Sequence, residues 1–298
     1  MLPSGKRGPA FTLLFSEDLL THPPVHHNAP PGLRAWLDSV DASREPSVRE
    51  VTIDGVRCII KRRRAGIDRS VSYALRYARA LFLAMSCKVF LGEFPRPSVL
   101  LRNGLAHEGQ RLAQLLKAGC RVPEVWWQEQ GLLVLEFVGH DLAYLIRKED
   151  TTSRLWLTRA AAADLAAFHA RGMWHGGAQI RNVTLNEGEI WRIDFEENIG
   201  ATLSRPLAQA YDLFQMLASL VSLRKLPDAD ARALGKLALD VYLECNPDPE
   251  VKARLTRLAR VLCAVATPLR PLLRRLPSRD VQGFFRVADI LQPLLLKS

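Results

Sequence analysis

The chain has 298 residues, 48% of them hydrophobic and 24% charged, with a formal net charge of +10 at pH 7. That length and apolar share exclude a disordered or fibrous polypeptide and allow one large domain or two lobes. The longest apolar runs, such as residues 80–85 and 131–135, fall far short of the roughly 20 residues that span a bilayer, so a soluble or peripheral protein is expected.

Ser16, Glu17 and Asp18 interrupt any signal-peptide core, which predicts a cytoplasmic protein, at most peripheral at the inner membrane. Five scattered cysteines, Cys58, Cys87, Cys120, Cys245 and Cys263, form no CxxC pair and read as reduced thiols. The positive charge is uneven: residues 61–102 carry ten Lys and Arg against two acids, and residues 251–298 again ten against two. Two basic segments on an otherwise acidic body predict an anionic partner, a membrane surface or an anionic glycolipid. The charge alone also meets the electrostatic criterion for nucleic acid, but no recognised nucleic-acid module accompanies it.

In chain order, residues 1–41 are broken by Pro23-Pro24 and Pro30-Pro31, which predicts an arm with a short helix near Leu33 to Leu37. His26-His27 lacks a third ligand at useful spacing. Ser47 to Thr52 and Val56 to Lys61 are β-branched runs joined by Ile53-Asp54-Gly55, a hairpin signal. Ser70 to Leu91 reads as one helix ending near Gly92. On it Arg69, Arg76, Arg79 and Lys88 stand beside Tyr73, Tyr77, Leu81, Phe82, Leu83, Val89 and Phe90, which fits either a membrane-surface helix or one packed on its own domain. Asn103 to Ala118, containing Glu108, Leu112, Leu115 and Leu116, has a helical period and stops at Gly119. Two strands follow, at residues 122–127 and 131–138, and a helical segment starts at Asp141. Thr151 to Arg171 is a helix with an apolar stripe at Leu155, Leu157, Ala161, Leu165 and Phe168. A second hairpin pairs Val183 to Leu185 with Ile190 to Phe195, and helices are predicted at 207–223, 228–244 and 249–265.

The second hairpin carries the chemistry. It brings Asn182, just before its first strand, beside Asp194, at the end of its second. An amide oxygen and a carboxylate are hard ligands that suit Mg2+ with its remaining places left to water and phosphate. Residues 174–200 resemble the catalytic and metal loops of the protein-kinase-like superfamily, in which His-x-Asp-x-x-x-x-Asn is followed after a hairpin by Asp-Phe-Gly. His175 and Asn182 have that spacing, and Ile193-Asp194-Phe195-Glu196 stands where the metal loop belongs. Two positions depart from the pattern: Gly177 replaces the aspartate that accepts the substrate proton, and Glu196 replaces the glycine.

The resemblance implies an α+β, bilobal protein-kinase-like fold. The small β-rich N-lobe would span residues 42–139 with a basic amphipathic insertion at 62–101, and the helical C-lobe residues 140–298. It implies ATP and Mg2+ as cofactors, with Asn182 and Asp194 as metal ligands. Lys61 would reach the ATP phosphates, Glu108 would pair with it, and the segment from Glu136 to Val138 would receive adenine. His175 and Asp212 would brace the loop. With no glycine-rich loop before Lys61, the pattern is closest to bacterial lipopolysaccharide-core and related small-molecule kinases. The implied function is ATP-dependent phosphorylation of a sugar or lipid-linked sugar. A general base contributes about 10²–10⁴ in rate, so without one a slow enzyme or a pseudokinase remains. Gln179 can orient an acceptor hydroxyl. Either Glu196 or Glu197 can take its proton, and Glu196 can alternatively add a metal contact.

Overall fold

The computed structural model describes residues 28–40, 46–63, 69–101, 104–273, 275 and 278–296. Most of the expected arm, with His26-His27, and the predicted helix start at Asn103 lie outside them, as do the side chains of Arg69, Tyr73, Arg76 and Phe90. The elements run α1 (Leu33–Ser39), β1 (Val48–Ile53), β2 (Val56–Arg62), α2 (Arg69–Leu91), α3 (Pro97–Leu100), α4 (Leu105–Lys117), β3 (Val125–Glu129) and β4 (Leu132–Glu136). They continue with β5 (His140–Asp141), α5 (Leu142–Lys148), α6 (Thr151–Ala170), a 3-10 turn (Ile180–Asn182), β6 (Val183–Asn186) and β7 (Glu189–Arg192). The chain closes with α7 (Arg205–Val221), α8 (Asp228–Cys245), α9 (Pro249–Leu273), α10 (Arg279–Leu291) and α11 (Pro293–Leu296).

Both predicted hairpins form, and their turn residues explain why. Asp54 and Gly55 have φ of 51° and 80°, and Glu187 and Gly188 have 50° and 80°. Two successive positive φ values mark the turn whose twist matches that of paired strands. The first hairpin belongs to a four-stranded antiparallel sheet ordered β1-β2-β4-β3, the second to a small sheet ordered β5-β6-β7. Strand β4 is central, and Leu132, Leu133, Val134 and Leu135 are all buried. Leu133 and Leu135 pack under α4 with Leu105, Leu112 and Leu115. Val134 and Leu132 face the other way, onto Leu33 of α1, Ile53, Ile60 and Trp126.

The helical region is built on α6, α7 and α8, whose Leu157, Leu165, Leu213, Leu217, Leu234 and Leu239 share one apolar core. The chain therefore has an α+β architecture with a small sheet-rich lobe and a helical lobe. Helix α9 runs past its predicted end at Val265 to Leu273, through Pro268 and Pro271. Proline deprives the carbonyl four residues earlier of its partner. Here those residues, Ala264 and Thr267, are exposed, so water can serve their carbonyls. Helix α10 then packs Phe285 and Ala288 against Ala266 of α9.

The segment between β2 and α4 starts and ends at the sheet lobe but rests on the helical one. Cys87 and Leu91 of α2 pack with Leu203, Leu207, Ala208 and Leu258. After α2, Glu93 accepts from the N–H and hydroxyl of Ser204 at 2.7 and 2.6 Å, and pairs with Arg254 at 3.2 Å. Ser204 is the N-cap of α7, so the carboxylate also lies at the positive end of that helix. Arg96 N–H donates to Thr202 at 2.7 Å. No helix among the described residues is long and apolar enough to cross a membrane.

Gly139 carries the chain from β4 towards the helical lobe. Its φ is +88°, and a Cβ there would run into the carbonyl oxygen of Leu185, a backbone atom with no freedom to yield. Gly139→Ala is expected to destabilise the protein by about 1–3 kcal/mol from the backbone conformation alone, with the clash added. Equilibrium unfolding in urea checks this, and an unchanged midpoint would show that the crossing adjusts freely.

Candidate functional site

Lys61, near the end of β2, is at the centre of the site. Its ammonium donates to Glu108 Oε1 and Oε2 at 2.8 and 3.0 Å and to Asp194 Oδ1 at 2.7 Å, and Glu196 Oε1 lies 3.8 Å away. Three carboxylates from α4 and the loop after β7 thus surround one cation. Helix α4 can bring Glu108 this close because Gly109 lets it approach β3: a side chain there would collide with Gln128. Glu108 is 0% exposed. Burial drives its pKa up and Lys61 draws it down, with a net rise to about 7. For Lys61, burial works to lower the pKa, but Glu108 and Asp194 outweigh it and the net shift is upward.

Glu108, Asp194 and Glu196 place ligand atoms within 4.8 Å of one another. The Lys61 ammonium already lies among them, so this trio is a lysine cage. Asn182 and Asp194 offer hard oxygen donors of the kind that suits Mg2+. Asp194 has spent Oδ1 on Lys61. Asn182 is buried and donates its Nδ2 to Gly177 O at 2.8 Å, which fixes its amide and presents the oxygen. A backbone bond from Ile193 N to Asn182 O, at 3.0 Å, locks the two loops together one residue before Asp194. Asp194 itself has φ of 68°, a sparsely populated region for a non-glycine residue and one that recurs at functional sites.

Beneath the loop, Asp212 of α7 is fully buried and accepts from His175 N at 2.6 Å, Gly176 N at 2.8 Å and His169 Nε2 at 3.3 Å. His175 donates its Nε2–H to Ile193 O at 3.0 Å and accepts from Gly177 N at 3.2 Å, and its ring stacks on Phe195 at 4.1 Å. Burial holds its pKa down to about 4, so it is neutral, as that pair of roles requires. Gln179 is half-buried, and its backbone joins Gly177 O to Asn182 N at 2.7 and 2.8 Å.

A cleft of about 260 Å³ opens beside Lys61, bounded by Ile59, Leu135, Glu136, Val138, Thr184 and Ile193. Two backbone groups of the predicted adenine segment are already engaged: Glu136 N by Glu124 O at 3.0 Å, and Val138 O by the Thr184 hydroxyl at 2.6 Å. Sequence reasoning did not single out Thr184. It also passed over Trp174, whose ring carries the Arg111 guanidinium at 4.3 Å and packs so closely on Gly200 that no side chain fits there. No local sequence signal marks either contact, because the partners are distant in the chain.

No protein-family model matches the chain, and no curated protein matches it. Among solved structures 310 chains match. One is a Map kinase from Leishmania major, 12% identical, covering 87% of this chain and 80% of that one, with a TM-score of 0.33.

Glu108 supplies a pH signature. Its pKa rises from the usual 4.5 to about 7 in the fold, so between these values the folded protein binds the proton that the unfolded chain releases. Stability therefore falls as pH rises through that window. Thermal unfolding from pH 5 to 8 is expected to show this fall in the wild type and a flatter profile in Glu108→Gln.

Proposed function

We propose that the protein is an ATP- and Mg2+-dependent phosphotransferase acting on an alcohol group. The observation that carries this reading is the Lys61 ammonium, held at 2.7–3.0 Å by Glu108 and Asp194 at the edge of a cleft. Phosphoryl transfer depends chiefly on positioning and charge neutralisation. In this reading Glu108 aims Lys61 at the phosphates, and Asn182 and Asp194 hold Mg2+, which neutralises charge between phosphate oxygens when bound. Adenine would use Glu136 O and the Val138 N–H, the hinge groups not spent on Glu124 and Thr184. The loop braced by Asp212 and His175 keeps Asn182 and Asp194 in place.

The acceptor we propose is a sugar or lipid-linked sugar presented at an anionic membrane surface. Helix α2 supports this through an inverted distribution of side chains. It turns Ala80, Ala84 and Cys87 inwards and leaves Leu75, Phe82 and Val89 exposed at 72%, 75% and 67%. These three recur every seven residues along one face. Arg79 and Lys88 are exposed on the same helix. The second basic segment adjoins it, since the Arg257 guanidinium of α9 lies against Gly92. An apolar helix face rimmed by cations is the composition of a segment that lies in the headgroup region of anionic lipid. The alternative is a pseudokinase, favoured by the missing aspartate at Gly177.

Calorimetric titration of ATP with Mg2+ tests the core of the reading. The wild type is expected to bind ATP in a Mg2+-dependent manner, and Asp194→Ala to lose that dependence; absence of binding in the wild type would overturn it. Sedimentation with phosphatidylglycerol vesicles tests the surface. Binding should weaken with salt and in Leu75→Glu/Val89→Glu, and indifference to lipid charge would argue against an anionic membrane.

A further inference from the structure

Two glycines occupy the loop, one of them, Gly177, where the resemblance would place an aspartate, and the segment after Asp194 packs against both. Gly176 has φ of +92°, and a Cβ there would stand 2.7 Å from the carbonyl oxygen of Glu197. The backbone of Glu197 therefore lies directly on the loop, as only a glycine with that φ permits. At Gly177 the outcome differs. A Cβ would lie 3.7 Å from Glu197 Cδ and 3.8 Å from Asn182 Nδ2, ordinary contact distances. A side chain rooted at residue 177 would thus project towards the carboxyl group of Glu197 and the amide of Asn182.

We propose that the Glu197 carboxylate takes the place of the carboxylate absent at Gly177 and is the catalytic base of this site. The inference rests on the phosphotransfer reading. Glu196 has a different position, with its carboxylate 3.8 Å from the Lys61 ammonium, among the groups that would face phosphate. Glu197 keeps part of its surface in solvent while its carboxyl group is partly buried by its neighbours. The charged and titratable groups around it are Asp194 on its own loop, Asp212 and Tyr211 of α7 and Arg79 of α2. Burial raises its proton affinity first, and Asp194 and Asp212 add to that. Arg79 and the Gln215 amide oppose it, and the net effect lies above the usual carboxylate range. A base of raised proton affinity is the better acceptor of a hydroxyl proton near neutral pH.

In the step assigned to it, the acceptor hydroxyl oxygen forms a bond to the γ-phosphorus of ATP. The bond from that phosphorus to the β,γ-bridging oxygen breaks, and its electron pair leaves with ADP. The hydroxyl proton passes to Glu197 and then to solvent. Arg79, on the helix with the exposed apolar face, is near enough to oppose the rise in proton affinity of Glu197 and brings a positive charge to its neighbourhood.

The test uses the full chain with MgATP, water as the phosphoryl acceptor, ADP release as the readout and calorimetry for nucleotide affinity. Glu197→Gln is expected to lower turnover by about 10²–10⁴ while the affinity for MgATP and the unfolding midpoint stay unchanged. Added formate, which fits the space vacated in Glu197→Ala, should restore part of the rate. Gly177→Asp in the Glu197→Gln background should restore part of it as well. Wild-type turnover in Glu197→Gln would overturn the assignment and leave the phosphotransfer reading standing. MgATP binding without turnover in the wild type would also overturn it, leaving a nucleotide-binding scaffold. Failure of the wild type to bind MgATP would overturn both.

Discussion

The structure depends on one buried cation shared between carboxylates that come from distant parts of the chain. Lys61 lies on β2, Glu108 47 residues later on α4, and Asp194 133 residues later beyond β7. Taking such charges out of water costs several kcal/mol per ion, and only close, well-bonded partners offset it. The cost has a structural use. The sheet, the helix above it and the loop of the other lobe are held in one relative position, because separating any of them leaves an unpaired charge in the interior. Well-packed apolar residues of similar volume can stabilise an interior as well as such ions do, but they would not set these three elements against one another beside the cleft.

A second polar assembly supports the loop from below. Asp212 gathers two backbone N–H groups and His169, and His169 in turn accepts from Tyr242, whose hydroxyl accepts from Asn246 at 2.9 Å. Every member is buried, and each has its partners in a consistent donor and acceptor sequence. Such a connected network rigidifies what it touches. The loop that offers Asn182 is therefore positioned by α7 and α8, which lie in the main core of the helical lobe, and not by its own sequence.

Local chemistry made much of this legible. Asp54-Gly55 and the Asn186 to Gly188 turn announced both hairpins because Gly55 and Gly188 take positive φ without strain, whereas the left-handed Glu187 carries no such signal. Lys61, Glu108, Asn182 and Asp194 are ordered by the resemblance to the kinase-like pattern, and the structure brings Lys61 into contact with Glu108 and Asp194. What stayed hidden is tertiary. The length of α9 was underestimated because proline usually ends a helix, and only the exposure of Ala264 and Thr267 shows why it does not here. The face that α2 buries could not be read from its sequence either, since it hides Ala80, Ala84 and Cys87 and leaves Leu75, Phe82 and Val89 outside. The closeness of Glu197 to the paired glycines depends on two loops meeting, which no spacing within either loop reveals.

The route of the chain between β2 and α4 has a mechanical consequence. In a two-lobed protein that opens and closes about a hinge, a helix packed on one lobe can swing with that lobe. Here that helix is entered from a segment fastened to the opposite lobe by Glu93, which holds Ser204 and Arg254, and by Arg96 on Thr202. The segment is thus a second link between the two lobes besides the Gly139 crossing. Separating the lobes would have to break the contacts of Glu93 and Arg96 as well as bend the chain at Gly139.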